Sequence, residues 1–389
     1  MKEMTPRERL LAAFSCGEVD RPPVMPNFTR WIRGRTGSTS ELQFIESSEQ
    51  FGFDPIIMYA AYFNHPLSSG YVYRPDEGSY RDLPDVNVDL RVENYRDHTV
   101  HIRRFETPAG PLTDRISWSR PGMGYGDGPN PHRDEPLVKS MDDVEALKFL
   151  YPLPRQDVIS DLRLWEEIVG GRAVVEFLAA DNAGGWGMES LGPEMMLMSA
   201  IENKDLLKAV LRVCQDQHLR NFKAVLEAGH KHFCVSWFQC GPSVGWSPAN
   251  IEEFFLPLIR ESVELVSSYG ACYRFQDDGK MLDVIPHLVD LGTDIIGGLQ
   301  PPPIGDCDFG EIMRRWGGKA CFMGGLDPVH VMERGTPELV RSEVHKLLSS
   351  AGDGRGVVVS TAEAFGPEAP EENLCALSQS VRDVWNELS

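Results

Sequence analysis

Positive charge is scarce in this chain. Lys and Arg number 38 against 58 Asp and Glu, a formal net charge of −20. That balance argues against nucleic acid as a partner, because phosphate contacts need Lys and Arg, and against anionic membrane surfaces. No apolar run approaches the roughly eighteen residues of a membrane span. The opening Met1-Lys2-Glu3-Met4-Thr5-Pro6-Arg7-Glu8-Arg9 lacks the apolar core of a secretory signal, so a soluble cytoplasmic protein is expected. The eight cysteines never fall at CxxC spacing, which excludes a zinc ribbon and a thioredoxin-like motif. In apolar surroundings, as at Cys272 and Cys321, they read as buried free thiols of a reducing compartment. No Gly-x-Gly-x-x-Gly turn follows the first strand-like segment, which removes the dinucleotide-binding form of an alternating α/β fold.

What the chain does have is a rhythm. Its 389 residues suffice for one large α/β barrel or two medium domains. Short apolar segments recur at 24–28, 55–60, 173–179, 232–238, 272–275, 294–299, 320–323 and 356–360, nearly all followed by a helical pattern. This alternation predicts an α/β fold of the (β/α)8 TIM-barrel type, a single domain over 1–389. The rhythm breaks once. Between about 63 and 136 helical periodicity gives way to short alternating segments at 70–73, 86–92, 99–105 and 112–118, broken by Gly, Pro and Asp. These predict an antiparallel hairpin insertion after the second strand. Tyr71, Tyr73, Trp118 and Tyr125 within it read as packing before they read as a pocket cover. The strand at 173–179 ends in Ala180-Asp181-Asn182-Ala183-Gly184-Gly185, and the next helices are expected at about 193–201 and 204–227.

In such a barrel, chemistry is built from loops at the carboxyl ends of the strands. The strand ends supply Asn27 and Arg30, Tyr59, Asp181 and Asn182, Trp237, Gln239 and Cys240, Gln276, Asp277 and Asp278, Gln300, Asp327, and Thr361 and Glu363. Arg30, Arg33 and Arg35 either clamp carboxylates or face solvent. The adjacent Asp277 and Asp278 repel unless a cation, a proton or a hydrogen-bond donor intervenes, which marks them as functional. Asp327, before Pro328, reads as a helix cap. His232 and Cys234 share one face of a strand ahead of its end and read as packing; His287 and His345 lie in helices and read as structural. Three uses of this set stand open. Cys240, Asp278 and Glu363 converging on Zn²⁺ would give a Lewis acid for an ether or thiol. A carboxylate near an arginine, with Tyr or His as proton donor, would give metal-free acid–base chemistry. The third is binding without catalysis.

Several short stretches resemble the uroporphyrinogen decarboxylase superfamily. They are Met4-Thr5-Pro6-Arg7-Glu8-Arg9 with Asp20-Arg21-Pro22-Pro23-Val24, then Ser247-Pro248, Asp278-Gly279, Gly325-Leu326-Asp327-Pro328, and Pro367-Glu368-Ala369-Pro370-Glu371-Glu372-Asn373. They run from one end of the chain to the other. The resemblance implies a (β/α)8 barrel with its active site at the carboxyl ends. The chain departs from the tetrapyrrole decarboxylases of that superfamily. Asn27-Phe28-Thr29-Arg30-Trp31-Ile32-Arg33 replaces their arginine-rich segment, Tyr59-Ala60-Ala61-Tyr62 occupies the place of their aspartate, and Thr361-Ala362-Glu363 that of their late histidine.

The other branch resembles corrinoid-dependent methyltransferases. Its thiol-activating His-x-Cys position reads Gln276-Asp277-Asp278 here, whereas ether-demethylating members use more varied zinc ligands. The reading that follows is a methyltransferase or O-demethylase component. Asp278 is central, with Asp277 beside it and Glu363 across the mouth. Asn27, Arg30, Asp181, Gln276 and Gln300 would hold the substrate, and Trp237 and Tyr59 would form an aromatic wall. The expected cofactors are zinc on Cys240, Asp278 and Glu363, and cobalamin on a partner protein. The expected partners are a small methylated compound, that corrinoid protein and a second copy of the chain in a homodimer. The alternative is a cofactor-free decarboxylase of a smaller acid, with Arg30 gripping its carboxylate.

Overall fold

A computed structural model of the chain describes residues 2–37, 40–59, 83–120, 131–151, 156–179 and 182–388. Its frame is a parallel sheet of seven strands in the order β1 (Ile56–Tyr59), β6 (Val174–Ala179), β7 (His232–Ser236), β8 (Cys272–Gln276), β9 (Ile295–Leu299), β10 (Cys321–Leu326) and β11 (Val357–Thr361). These strands are short and almost wholly buried on both faces, which is why they read as apolar runs. Two apolar cores result. One lies between the sheet and the helices. The other is enclosed by the curl of the sheet, where Ile56, Val174, Ile295, Cys321, Met323 and Val358 meet Leu10, Ala13 and Phe14 of the first helix, Pro6–Phe14. That helix plugs one end of the interior. It starts where expected, with Thr5 and Glu8 forming a capping box.

The expected first strand at 24–28 is a single parallel bridge, Val24 to Val359. Pro22, Pro23 and Pro26 lack the amide hydrogens that a longer ladder needs. The bridge nevertheless links the two edges of the sheet. Met25 N donates to Val359 O (2.9 Å), Val359 N donates to Pro23 O (2.9 Å), and Asp54 N, just before β1, donates to Val24 O (2.7 Å). The carboxylate of Asp54 fastens the segment. It is fully buried and accepts from Val24 N and Arg21 Nη1, both at 2.8 Å, and from Arg9 Nη1 at 2.5 Å. Arg9 also pairs with Asp20 at 2.6 Å.

Between β1 and β6 the chain forms a separate antiparallel sheet: β2 (Asn87–Asn94), β3 (His98–Thr107), β4 (Gly110–Ser119) and β5 (His132–Glu135). Three of these match expected segments; the segment 70–73 and Tyr71, Tyr73 and Tyr125 lie outside the described residues. Arg103 and Asp114, both buried, pair within this sheet, and Arg133 joins Asp114 to Glu189 (2.9 Å) on the helix Ala183–Leu191. That helix begins in the Gly-rich run at the end of β6, ahead of the first helix expected there, at about 193. Asn182 caps it, accepting from Gly184 N and Gly185 N. Its glycines answer to packing: a Cβ on Gly184 would run into the Cys240 sulfur, and one on Gly187 would lie 2.9 Å from a Leu211 methyl. Among the described residues no helix is long and apolar enough to cross a membrane.

Candidate active site

A cavity of about 300 Å³ opens at the carboxyl ends of the parallel strands. Strand geometry decides which side chains reach it, because successive residues point to opposite faces. Met58 of β1, Ser236 and Phe238 at the end of β7, Arg274 and Gln276 of β8, and Thr361 and Glu363 at the end of β11 face it, together with Asn27. Phe44, Leu178 and Met323 add apolar wall.

Of the expected site residues, Asn27, Gln276 and Glu363 line this cavity. Asn27 is fixed through its backbone, its N–H donating to Thr361 Oγ1 at 3.0 Å, while its side-chain oxygen accepts from Thr29 Oγ1. Tyr59 and Trp237 do not form the aromatic wall. Each stands one position out of phase with a lining residue. Tyr59 reaches Asp161 on the helix Gln156–Val169, its hydroxyl 3.1 Å from the carboxylate. Trp237 is fully buried, donates from its indole N–H to Tyr273 Oη (3.0 Å) and stacks near Phe275. Gln300 is also committed elsewhere: buried, with Oε1 accepting from Gly279 N (2.7 Å), it pins the loop after β8. Asp181 lies outside the described residues. Asp327 is the expected cap, accepting from Val329 N and His330 N at 2.8 Å each. His232 and Cys234 pack within the strand layer, and burial pulls the His232 imidazole down to about 4.

The carboxyl groups form an interacting set. Glu363 stands at the cavity wall, and burial first, then the charge of Asp278, push it up to about 7; Ala364 N–H and the charge of Arg30 pull the other way. Asp278, half-buried, is itself raised by burial. Asp277 is buried against Gly241, its Oδ1 accepting from Asp278 N at 2.8 Å, and burial raises its pKa well above the carboxylate range, with Asp278 and Glu363 adding to the rise. Three acids that feel one another in a poorly hydrated place hold protons that free carboxylates would lose. Arg30 is exposed on the helix Thr29–Thr36, within electrostatic reach of Glu363.

The expected zinc set does not fit. Among the described residues no three His, Cys, Asp or Glu side chains are grouped as a metal site. Cys240 is the reason. Its buried sulfur packs against Gly184, and burial raises the thiol well above its ordinary pKa, with the charge of Asp277 adding to the rise. Packed there, the sulfur is not part of the cavity lining that Glu363 faces.

Sequence reasoning missed Arg274, which lines the cavity, and its partner Glu176. Arg274 of β8 and Glu176 of β6, 2% and 1% exposed, form an ion pair across the interior. The available signal was a single charge in each of two apolar strands, Val-Val-Glu-Phe-Leu and Cys-Tyr-Arg-Phe-Gln, with Arg274 in phase with Gln276.

Residues 122–384 match the family described as Uroporphyrinogen decarboxylase (URO-D). The chain belongs to the uroporphyrinogen decarboxylase family. Relatives of that name include one from Neisseria meningitidis serogroup C, 24% identical over 340 residues, which covers 80% of this chain and 87% of that protein. Another, from Pseudomonas syringae pv. syringae, is 29% identical over 148 residues, 36% of this chain and 38% of that protein. Among solved structures, a methyltransferase from Methanosarcina mazei shares the fold with a TM-score of 0.66 at 14% identity, over 98% of this chain and 99% of that one.

Proposed function

We propose that this member of the uroporphyrinogen decarboxylase family is a methyltransferase or O-demethylase component of (β/α)8 type, removing a methyl group from a small methylated oxygen compound. The observation that carries the reading is Glu363, an acid raised to about 7 at the wall of a largely apolar cavity. Breaking a methyl–oxygen bond leaves the electron pair on oxygen, and an alkoxide or phenoxide leaves far more easily if a proton arrives with it. Glu363 is a group that holds such a proton near neutrality. Asp278 keeps it there by repulsion, and Arg30 tempers the effect. The methyl acceptor would be a corrinoid carried by a partner protein, which supplies the nucleophile when bound.

The cavity volume favours a compact substrate over a tetrapyrrole, and among the described residues no arginine cluster for a polycarboxylate lines it. The fold shared with a methyltransferase is consistent with this reading. Purified protein, supplied with reduced cobalamin and a series of methoxylated aromatics, should transfer methyl groups. Glu363→Gln, which keeps the shape and loses the acidic proton, should lower the rate by about 10²–10⁴-fold. No transfer from any of them, or an undiminished Glu363→Gln variant, overturns the reading.

A second reading is favoured by the family and by Arg30. In it a small carboxylic acid, gripped by Arg30, loses CO₂ and the carbanion takes its proton from Glu363. Release of CO₂ without any corrinoid would select it.

A further inference from the structure

The floor of the cavity carries a charge pair that this reading does not use. Nε and Nη2 of Arg274 both donate to Glu176 Oε2, at 3.0 and 2.5 Å. Nη1 donates to Gln276 Oε1 at 3.0 Å and lies 3.5 Å from Met323 Sδ. A guanidinium has only donors, so it can meet only the carbonyl end of an amide. Gln276 is therefore held with its oxygen on Arg274 and its Nε2 group turned away. Among the described residues that group makes no hydrogen bond, and it sits beside Gly298, a cavity-lining residue. Gly297 and Gly298 make the room: a Cβ on Gly297 would fall on Gln276 Oε1, and one on Gly298 would come within 2.9 Å of Nε2.

We propose that Glu176 and Arg274 are positioning residues that fix the Gln276 amide as a hydrogen-bond donor, so that the cavity selects an uncharged, mainly apolar molecule bearing an acceptor oxygen. The inference rests on the proposed function, in which the ether oxygen is that acceptor. Glu176 cancels the charge of Arg274, so an anion gains nothing at the floor. A molecule without an acceptor leaves the amide N–H groups unpaired on binding, and sites built this way reject such analogues strongly.

The test is calorimetric binding to the full chain, without corrinoid, of three probes of similar size: methoxybenzene, ethylbenzene and benzoate. Wild-type protein should bind methoxybenzene about tenfold or more tighter than ethylbenzene, and benzoate no better than ethylbenzene. Gln276→Met should abolish the ether preference while leaving ethylbenzene binding within about twofold. Glu176→Gln uncovers the charge of Arg274, so benzoate should gain about tenfold or more while the ether preference shrinks, a switch that lost packing does not produce. Should Glu176→Gln fail to fold, Gln276→Met decides. A wild type without the preference, a Gln276→Met variant that keeps it, or a folded Glu176→Gln variant without the benzoate gain overturns the inference. Binding needs no methyl transfer, so a chain that shows the preference but transfers no methyl group keeps this inference and loses the function.

Discussion

At the scale of single residues, the behaviour of Glu363 is set by what stands around it. Burial and Asp278 raise its pKa; Arg30 lowers it. The two neighbours therefore give opposite predictions. Asp278→Asn removes a negative charge, favours ionised Glu363 and should move the alkaline limb of the pH–rate profile below 7. Arg30→Ala removes a positive charge and should move it above 7. Shifts of the same sign in both variants would refute the coupling. The sign for stability follows from linkage. Glu363 binds its proton more tightly folded than unfolded, so its contribution is full below pH about 4.5 and is lost as pH rises through about 7. Asp277 and Asp278, also raised, act in the same direction. Glu363→Gln should therefore flatten the fall in denaturation midpoint between pH 5 and 7.

At the scale of elements, the alternation of strand faces decides membership of the site. The strand ends were legible from sequence, because an apolar run closing in polar residues is visible as such. The phase was not, because the last residues of a strand turn before any pattern can show it. So Tyr59 and Trp237 were expected where Met58, Ser236 and Phe238 stand, and Arg274 was passed over although it is in phase with Gln276. The helix Ala183–Leu191 was hidden for a related reason: glycines that permit close packing look like loop formers when the partner, Cys240, is distant in sequence. Gly298 is the element-scale test. Its φ is +84°, and a Cβ there would overlap the carbonyl oxygen of Asp277. Gly298→Ala should push the β8 and β9 ends apart, cost about 1–3 kcal/mol in denaturant unfolding and lower activity with it. A variant as stable and active as wild type would mean the two ends are not locked together there.

At the scale of the molecule, the site depends on the sheet curling until its edges meet. Eight strand-like segments announced that arrangement, but the first proved to be one bridge, fastened by a few backbone hydrogen bonds and the Asp54 carboxylate. The stretch Asp20-Arg21-Pro22-Pro23, noticed as a resemblance, has a physical task here: its arginine and Arg9 converge on buried Asp54. Asp54→Ala removes the anion shared by two buried or half-buried arginines and the partner of Val24 N, and should cost about 3–5 kcal/mol on denaturation. A cost below 1 kcal/mol would show that the edges are held by something else. The function proposed for the cavity requires that Glu363 and Asp278, 85 residues apart in the chain, share one poorly hydrated place. The direct measurement is a carbon-13 NMR titration of carboxyl-labelled protein, with the Glu363 signal assigned through Glu363→Gln. The account predicts a midpoint near 7 that falls in Asp278→Asn. A midpoint near 4.5, unmoved by that substitution, would contradict it.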